Sequence, residues 1–390
     1  MTRPGLLFYC QHSLGLGHTV RSFALGAALT ARFRVVLACG GELVDGLRPH
    51  DDIELVELPA VRASPDGALM TPHAGSLGAA RSRRRSLLLH TFRSLRPAVV
   101  IVELFPFGRR RFADELVPLL EEADAATPRP VLVSSVRDIL VGRGPDQRAH
   151  DTLSCVLANR YLDAVLVHSD PRFARFEESF RPAIPLRVPV RHTGFVVPEA
   201  RGRPPADSND ARVVVSAGGG LVGGPLLRTA LEARPLLPAE LRLEIVAGPF
   251  LPEEDWRELR RRARDVPGVE LRRFAPDLAE RLRSASASVS QCGYNTALDL
   301  LRARIPALVV PFTEGRENEQ MRRATRLERH GALKVLAPDR LEPARLAAEI
   351  SALFDFRPAE LELDVDGARA SNDLLAGLLP EPLPVRAAAP

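Results

Sequence analysis

The chain is predicted to fold as two doubly wound α/β domains, and three observations carry that prediction. In each half a short apolar run stops at a glycine-rich loop that leads into a helical pattern. In the first half these are residues 6–10, the Gly-x-Gly-His loop, and then Val20, Phe23, Ala24, Ala27 and Ala28 on one face. In the second they are residues 212–216 and the loop Ala217-Gly218-Gly219-Gly220-Leu221-Val222-Gly223-Gly224. Further apolar runs, 98–102, 164–167, 243–247 and 305–310, alternate with helix-period segments, the pattern of buried parallel strands joined by crossover helices. Residues 198–210 are rich in Pro, Arg, Ala and Asp without apolar periodicity, so the domains are placed at 1–197 and 211–378, with a linker at 198–210 and a loose tail at 379–390.

Composition bounds the class of protein. At 390 residues, 45% hydrophobic and 26% charged, the chain is long enough for two globular cores and is neither disordered nor fibrous. Of 53 basic residues only Lys334 is a lysine, a skew of coding bias, and a net charge of +4 does not demand a nucleic-acid partner. Cys10, Cys39, Cys155 and Cys292 lie far apart, as small buried residues of a reducing compartment do. The amino terminus reads directly into a strand, and no apolar run approaches the roughly 20 residues that span a bilayer. A cytoplasmic protein with at most peripheral membrane contact is expected.

In a doubly wound sheet ligands bind beyond the carboxyl ends of the strands. The first such end carries Gly15-Leu16-Gly17-His18 with Arg21 three residues on. The third glycine of a dinucleotide fingerprint is missing and the next strand, 35–38, ends without an acid, which excludes an NAD site. An imidazole with an ordinary pKa near 6.5 suits a base, so His18 is a catalytic candidate; alternatively it caps or packs the helix start, and His12 shares its loop. Residues 53–58 alternate as a half-exposed strand, 62–78 read as an open loop, and Arg81-Ser82-Arg83-Arg84-Arg85 opens a helix to residue 95 with a solvated basic face. Strand 98–103 ends in Glu103, followed by Phe105 to Arg110. Glu103 orients His18, binds acceptor hydroxyls, or pairs with Arg109 or Arg110. Strands at 130–136 and 164–168 flank a helix at 146–160, and 188–195 closes the half.

In the second half, glycines at 218–220 let the backbone approach an anion. After strand 243–248, helix 253–264 and strand 269–274 comes Ser288-Val289-Ser290-Gln291-Cys292-Gly293-Tyr294-Asn295-Thr296. It reads as a buried strand, a tight turn and a helix opening at Asn295 or Thr296, whose side-chain oxygens cap it. Such a start offers unpaired amides and partial positive charge to a phosphate. Asp299 shares a helical face with Thr296, placed to accept ribose hydroxyls; the alternative is an ordinary strand-to-helix turn. Strand 304–312 precedes a helix opening at Glu317-Asn318-Glu319-Gln320, and residues 367–378 form an amphipathic helix. Asp364-Val365-Asp366 has metal-binding spacing but lies away from the predicted cleft, so no metal is expected.

The order Gly-x-x-Thr-x-x-acid, Pro-Ala-x-x-Val-Pro, Glu-Gln, Ala and Gly-Ala between Gly293 and Ala332 resembles the donor domain of the MurG-like branch of glycosyltransferase family 28. The runs 103–110 and 135–140 resemble a bacterial branch of the same family. The resemblance implies the GT-B architecture, two Rossmann-like domains facing across a cleft, with a final helix that crosses back to the first. It implies donor phosphates on Gly218, Gly219, Gly220, Gly293, Tyr294, Asn295 and Thr296, the base near Phe274 and Ala275, ribose on Asp299, and the sugar at Glu319 and Gln320. Gly15, Gly17, Arg21, Arg109 and Arg110 fall on the acceptor side, with His18 as base. There are departures: Asp299 is one methylene shorter than the family's glutamate, Glu319 replaces a glutamine, and the Thr193-Gly194 to Pro198 turn lacks the arginine that follows it in the family. The first loop resembles equally that of PseG-type hydrolases, which cleave UDP from a sugar.

The expected function is an inverting glycosyltransferase using a nucleoside diphosphate sugar, UDP-linked by preference, and a hydroxyl acceptor that is a small molecule, lipid-linked intermediate or glycan. No tightly bound cofactor and no nucleic acid are expected. A hydrolase using the same histidine on water, and a non-catalytic nucleotide-sugar-binding regulator, are the rivals.

Overall fold

A computed structural model describes residues 3–11, 17–63, 68–71, 75–198, 211–313 and 318–379. His12, Gly15, Glu317 and nearly all of the expected linker and tail lie outside the described residues.

The first half contains β1 (Gly5–Gln11), α1 (Gly17–Leu29), β2 (Arg34–Gly40), β3 (Glu54–Leu58), a small antiparallel pair β4 (Arg62–Ala63) and β5 (Leu69–Met70), α2 (Leu77–Leu95), β6 (Val99–Glu103), α3 (Ala113–Ala125), β7 (Val131–Arg137), α4 (Gln147–Tyr161), β8 (Ala164–His168) and β9 (Val190–His192). Seven of these strands form a parallel sheet in the order β3-β2-β1-β6-β7-β8-β9. The second half contains β10 (Arg212–Ser216), α5 (Gly224–Ala233), β11 (Arg242–Val246), α6 (Glu253–Ala263), β12 (Val269–Arg272), α7 (Leu278–Arg283), β13 (Ala287–Ser290), α8 (Tyr294–Ala303), β14 (Ala307–Val309), α9 (Glu319–Arg329), β15 (Lys334–Val335), α10 (Pro343–Leu353) and α11 (Gly367–Leu378). Its parallel sheet runs β12-β11-β10-β13-β14-β15. Strand order reverses beside β1 and beside β10, so crevices open at the carboxyl ends of β1 and β6 and of β10 and β13, as expected for this class of sheet.

The central strands are apolar on both faces because helices cover both. Leu6 to Cys10, Val99 to Val102 and Val213 to Val215 are fully buried. Edge strand β3 is half-exposed: Glu54 and Glu57, on opposite faces, are in solvent, and only Leu58 is fully buried. The four cysteines are buried and unbridged.

Two expectations change. The α2 helix starts at Leu77, earlier than Arg81, because Ser76 Oγ accepts from Ala79 N at 3.1 Å and caps it. Its basic run is not wholly solvated: Arg84 is fully buried and donates to both oxygens of Glu115 (2.8 and 2.6 Å), to Gln11 Oε1 (2.7 Å) and to Pro59 O (2.8 Å). Helical spacing turns this one arginine inward, where a carboxylate from α3 neutralises it.

The last helix, α11, leaves the second half. Leu375 enters the core beside Phe23, Leu25 and Leu29, and Asp373 accepts from Arg32 at 2.8 Å. The tail end of the 211–378 unit is therefore packed with the first half. More contacts join the halves along α9. Arg323 donates to both oxygens of Asp138 (2.7 and 2.8 Å), Arg326 pairs with Glu178 and reaches Phe173 O (2.8 Å), and Gly142 N donates to Asn318 Oδ1 (3.2 Å).

Replacing Arg84 by Met leaves Glu115 buried without its cation, which is expected to cost about 3–5 kcal/mol in chemical denaturation, whereas Ala at exposed Arg85 should stay within about 0.5 kcal/mol.

Candidate active site

His18 lies at the start of α1, just beyond β1, and Glu103 ends β6, the neighbouring strand at the order reversal. Adjacent strand ends bring them together, with His18 Nδ1 2.6 Å from Glu103 Oε1. Arg21, one turn into α1, also donates to Oε1, and Arg109 Nε sits 3.7 Å from Oε2. Burial alone would raise the Glu103 carboxyl, but His18, Arg21 and Arg109 outweigh it and hold the pKa at about 2. The carboxylate is therefore ionised and accepts the hydrogen of Nδ1. On His18 burial is the largest influence, and Arg109 and Arg137 add to it against the pull of Glu103, lowering the pKa to about 3. The result is a neutral imidazole whose tautomer is set by Glu103, leaving the Nε2 lone pair able to take a proton from the side where 16% of the ring side chain is exposed.

Facing it is the start of α8. The helix opens at Tyr294, one residue before the earliest predicted start, with extended Gly293 as its N-cap and no side-chain cap. The first-turn amides are thus left open, with the positive end of the helix dipole behind them. Asn295 does not cap; its amide donates to Gly17 O at 3.1 Å, and its Oδ1 is buried without a partner among the described residues. That bond brings the amino ends of α1 and α8 together.

Below them Ser216 and Ser290 stand in register at the ends of β10 and β13, both buried, their hydroxyls without a partner among the described residues. Sequence reasoning did not single them out. Two serines closing apolar strands before glycine turns were the available signal, since an orphaned buried hydroxyl asks for a polar ligand.

The glycine loop divides in role. Gly218 (φ +56°) is exposed, with open space where a Cβ would stand, and Gly219 borders it. Gly220 is not available to an anion: its N–H donates to Ala217 O at 3.0 Å and a Cβ would meet Ala247 O at 2.6 Å, so it closes the turn instead. Phe274 and Ala275 follow β12, and Ala275 O accepts from Leu278 N at 3.3 Å to start α7. A Cβ on Gly46 of the first half would lie 4.0 Å from the neighbouring Pro276. Thr296 is buried in the first turn of α8. Asp299 is half-buried, with no hydrogen bond or ion pair among the described residues. Burial, with Glu280 adding and Arg302 opposing, pushes its pKa up to about 7.

Several expected contacts go elsewhere. Tyr294 turns its ring away from the cleft; its hydroxyl donates to His168 O and accepts from Val196 N, both at 3.0 Å, because the first half offers unpaired backbone groups there. Glu319 is engaged at both oxygens, by Arg137 at 3.1 Å and Arg323 at 2.6 Å, so no carboxylate oxygen is left unpaired for a sugar. Gln320 Oε1 accepts from Cys292 N (3.0 Å) and Phe312 N (3.2 Å), leaving only its amide NH2 for a ligand. Arg21 is buried behind the histidine with its guanidinium over the Tyr294 ring, so it supports the base and does not line the acceptor side. Arg110 reaches back to His150 O at 3.2 Å, while Arg109 lies beside Glu103. Gly17 forms the helix start that Asn295 meets.

Two facing parallel sheets, one carrying a histidine–carboxylate pair and the other an open helix start, make up a two-domain α/β architecture shared with solved glycosyltransferases. Residues 214–371 match the glycosyltransferase family 28 C-terminal domain. The second half of the chain thus carries a glycosyltransferase family 28 C-terminal domain. It is 27% identical over 366 residues to the UDP-N-acetylglucosamine--N-acetylmuramyl-(pentapeptide) pyrophosphoryl-undecaprenol N-acetylglucosamine transferase of Phenylobacterium zucineum, covering 91% of each chain. It is 31% identical over 195 residues to the same-named protein of Methylobacterium radiotolerans, covering 48% of this chain and 52% of that one. The structure of MurG from Acinetobacter baumannii superposes with a TM-score of 0.59 at 14% identity, over 96% of this chain and 100% of that one.

Two outcomes follow from these protonation states. The His18 ring, followed by NMR, should stay neutral across pH 5–8. Asp299 keeps its proton in the folded chain up to about pH 7 but loses it near 3.9 when unfolded, so its contribution to stability falls as pH rises through that window. Asp299→Asn should therefore raise the denaturation midpoint at pH 8, and the gain should vanish below about pH 4.

Proposed function

We propose that the protein is an inverting transferase that moves a sugar from a UDP-linked donor to an acceptor hydroxyl, with His18 as the base. The observation that carries this reading is the His18–Glu103 hydrogen bond set against the uncapped start of α8, joined by the 3.1 Å bond from Asn295 to Gly17 O. The donor pyrophosphate would rest on the first-turn amides of α8 beside Gly218 and Gly219, the ribose on unpaired Asp299, the base against Phe274 and Ala275, and the sugar near the Gln320 amide. As the acceptor oxygen attacks the anomeric carbon its proton passes to His18 Nε2, and the bond to the diphosphate breaks on the opposite face, inverting the centre. Glu103 steadies the imidazolium that forms, and the α8 dipole stabilises charge gathering on the departing UDP.

UDP is favoured over other nucleotides because both relatives are named as enzymes that use UDP-N-acetylglucosamine. The acceptor of those relatives is an undecaprenol-linked pyrophosphate. Among the described residues no helix is long and apolar enough to cross a membrane, so a lipid-linked acceptor would be met from the membrane surface. The first half offers a cavity of about 510 Å³ at the ends of β2 and β3, lined by Leu43, Arg48, Leu58, Arg83 and Leu87, as room for such an acceptor. The donor sugar is left open, because both Glu319 oxygens are paired and only the Gln320 amide NH2 remains to read it.

Purified protein incubated with a panel of UDP-sugars separates the readings. Release of UDP only with an added acceptor supports transfer, unaided release at enzymatic rates supports a hydrolase, and binding without turnover supports a regulator. His18→Ala should lower turnover at least about 100-fold with UDP affinity unchanged; full turnover in that variant would remove the base.

A further inference from the structure

We infer that Arg137 is the cation that the first half lends to the donor diphosphate, reaching across the cleft to the phosphates held at the start of α8. This rests on the transferase reading above and adds a residue to it. Arg137 ends β7, the strand next to the one that Glu103 ends, so its side chain leaves the sheet at the same crevice. Its Nη1 donates to Glu319 Oε1 at 3.1 Å across the gap between the halves. Glu319 opens α9, and the next residue, Gln320, accepts at 3.0 Å from Cys292 N, one residue before the Gly293 cap of α8. A short chain of contacts therefore leads from this guanidinium to the proposed phosphate seat.

Two further observations support it. Arg137 Nε, like Arg21 Nε, is buried with no hydrogen-bond partner among the described residues, but Arg137 keeps 12% of its side chain exposed against 2% for Arg21. A buried guanidinium nitrogen without an acceptor is costly and marks a site that an acceptor is meant to complete. Among the described residues the charges gathered at the crevice also fail to balance. Arg21, Arg109, Arg137 and Arg323 face Glu103, Asp138 and Glu319, and His18 is neutral, so positive charge is in excess where a diphosphate would arrive. Arg21 and Arg323 are buried against their carboxylates, whereas Arg137 shares Glu319, the carboxylate it pairs with among the described residues, with Arg323. It is the guanidinium able to turn toward phosphate while Arg323 keeps Glu319 neutralised.

The test is calorimetric titration of the full chain with UDP and with uridine. Arg137→Met should weaken UDP at least about ten-fold while uridine binds as in the wild type, and Arg137→Lys should recover part of the loss. Removing this charge also relieves the field that disfavours protonated His18, so the acid limb of kcat/KM should move to higher pH in the Met variant. Unchanged UDP affinity in Arg137→Met overturns the inference while leaving the transferase reading intact. Equal losses for UDP and uridine in both variants also overturn it, since they mark a structural role. A wild-type chain that binds neither UDP nor uridine sinks the transferase reading and this inference together.

Discussion

The geometry of the cleft depends on the guanidinium of Arg323. From α9 in the second half it donates to both oxygens of Asp138 in the first, to the carbonyl of Cys292 at 2.8 Å, and to Glu319. One side chain thus fixes the first half, the turn before α8 and the opening of α9 relative to each other. Both members of the Arg323–Asp138 pair are almost fully out of water. An ion pair so placed returns its desolvation cost only when the remaining hydrogen-bonding groups are satisfied, and the Cys292 and Glu319 contacts do that here. Its contribution is to register more than to net stability: a shift of either half would strand a buried charge.

Around that point the halves are held by groups of several kinds. Tyr294 bridges two backbone groups of the first half, Phe195 N donates to Asp364 O at 2.7 Å, and α11 seals its apolar face against α1. Asn295 crosses the crevice itself, and its single bond to Gly17 sets how far the imidazole stands from the α8 amides.

Electrostatics at the crevice follow from burial more than from any one neighbour. A histidine beside a carboxylate in water would gain a proton more readily; here burial and the arginines at 109 and 137 prevail, so the imidazole is neutral while Glu103 is ionised. The same environment that denies His18 a proton at rest is suited to an arriving anion, because the excess guanidinium charge and the α8 dipole point the same way. On α8, desolvation acts in the opposite chemical sense on Asp299, keeping a carboxyl protonated near neutrality where no cation stands close enough to ionise it.

Much of this was legible from local pattern. Apolar runs bounded by glycine turns located the strands, the reversal points placed His18, Glu103, Gly218 and Gly293 at strand ends, and the amphipathic repeat placed α11 at residues 367–378. Such features are decided within a few residues, by backbone propensity and by the need to bury one face. The destinations of long polar side chains were not legible. Arg84, Tyr294, Glu319 and Arg323 find partners 31, 126, 182 and 185 positions away, and nothing in the neighbouring sequence specifies which carboxylate or carbonyl will be there. The sequence alone determined the two sheets and which strand ends meet at the crevices; the tertiary structure decided which charges are spent on holding the halves together and which are left exposed to the crevice, because that choice is made only when distant strand ends and helix starts are brought within hydrogen-bond reach.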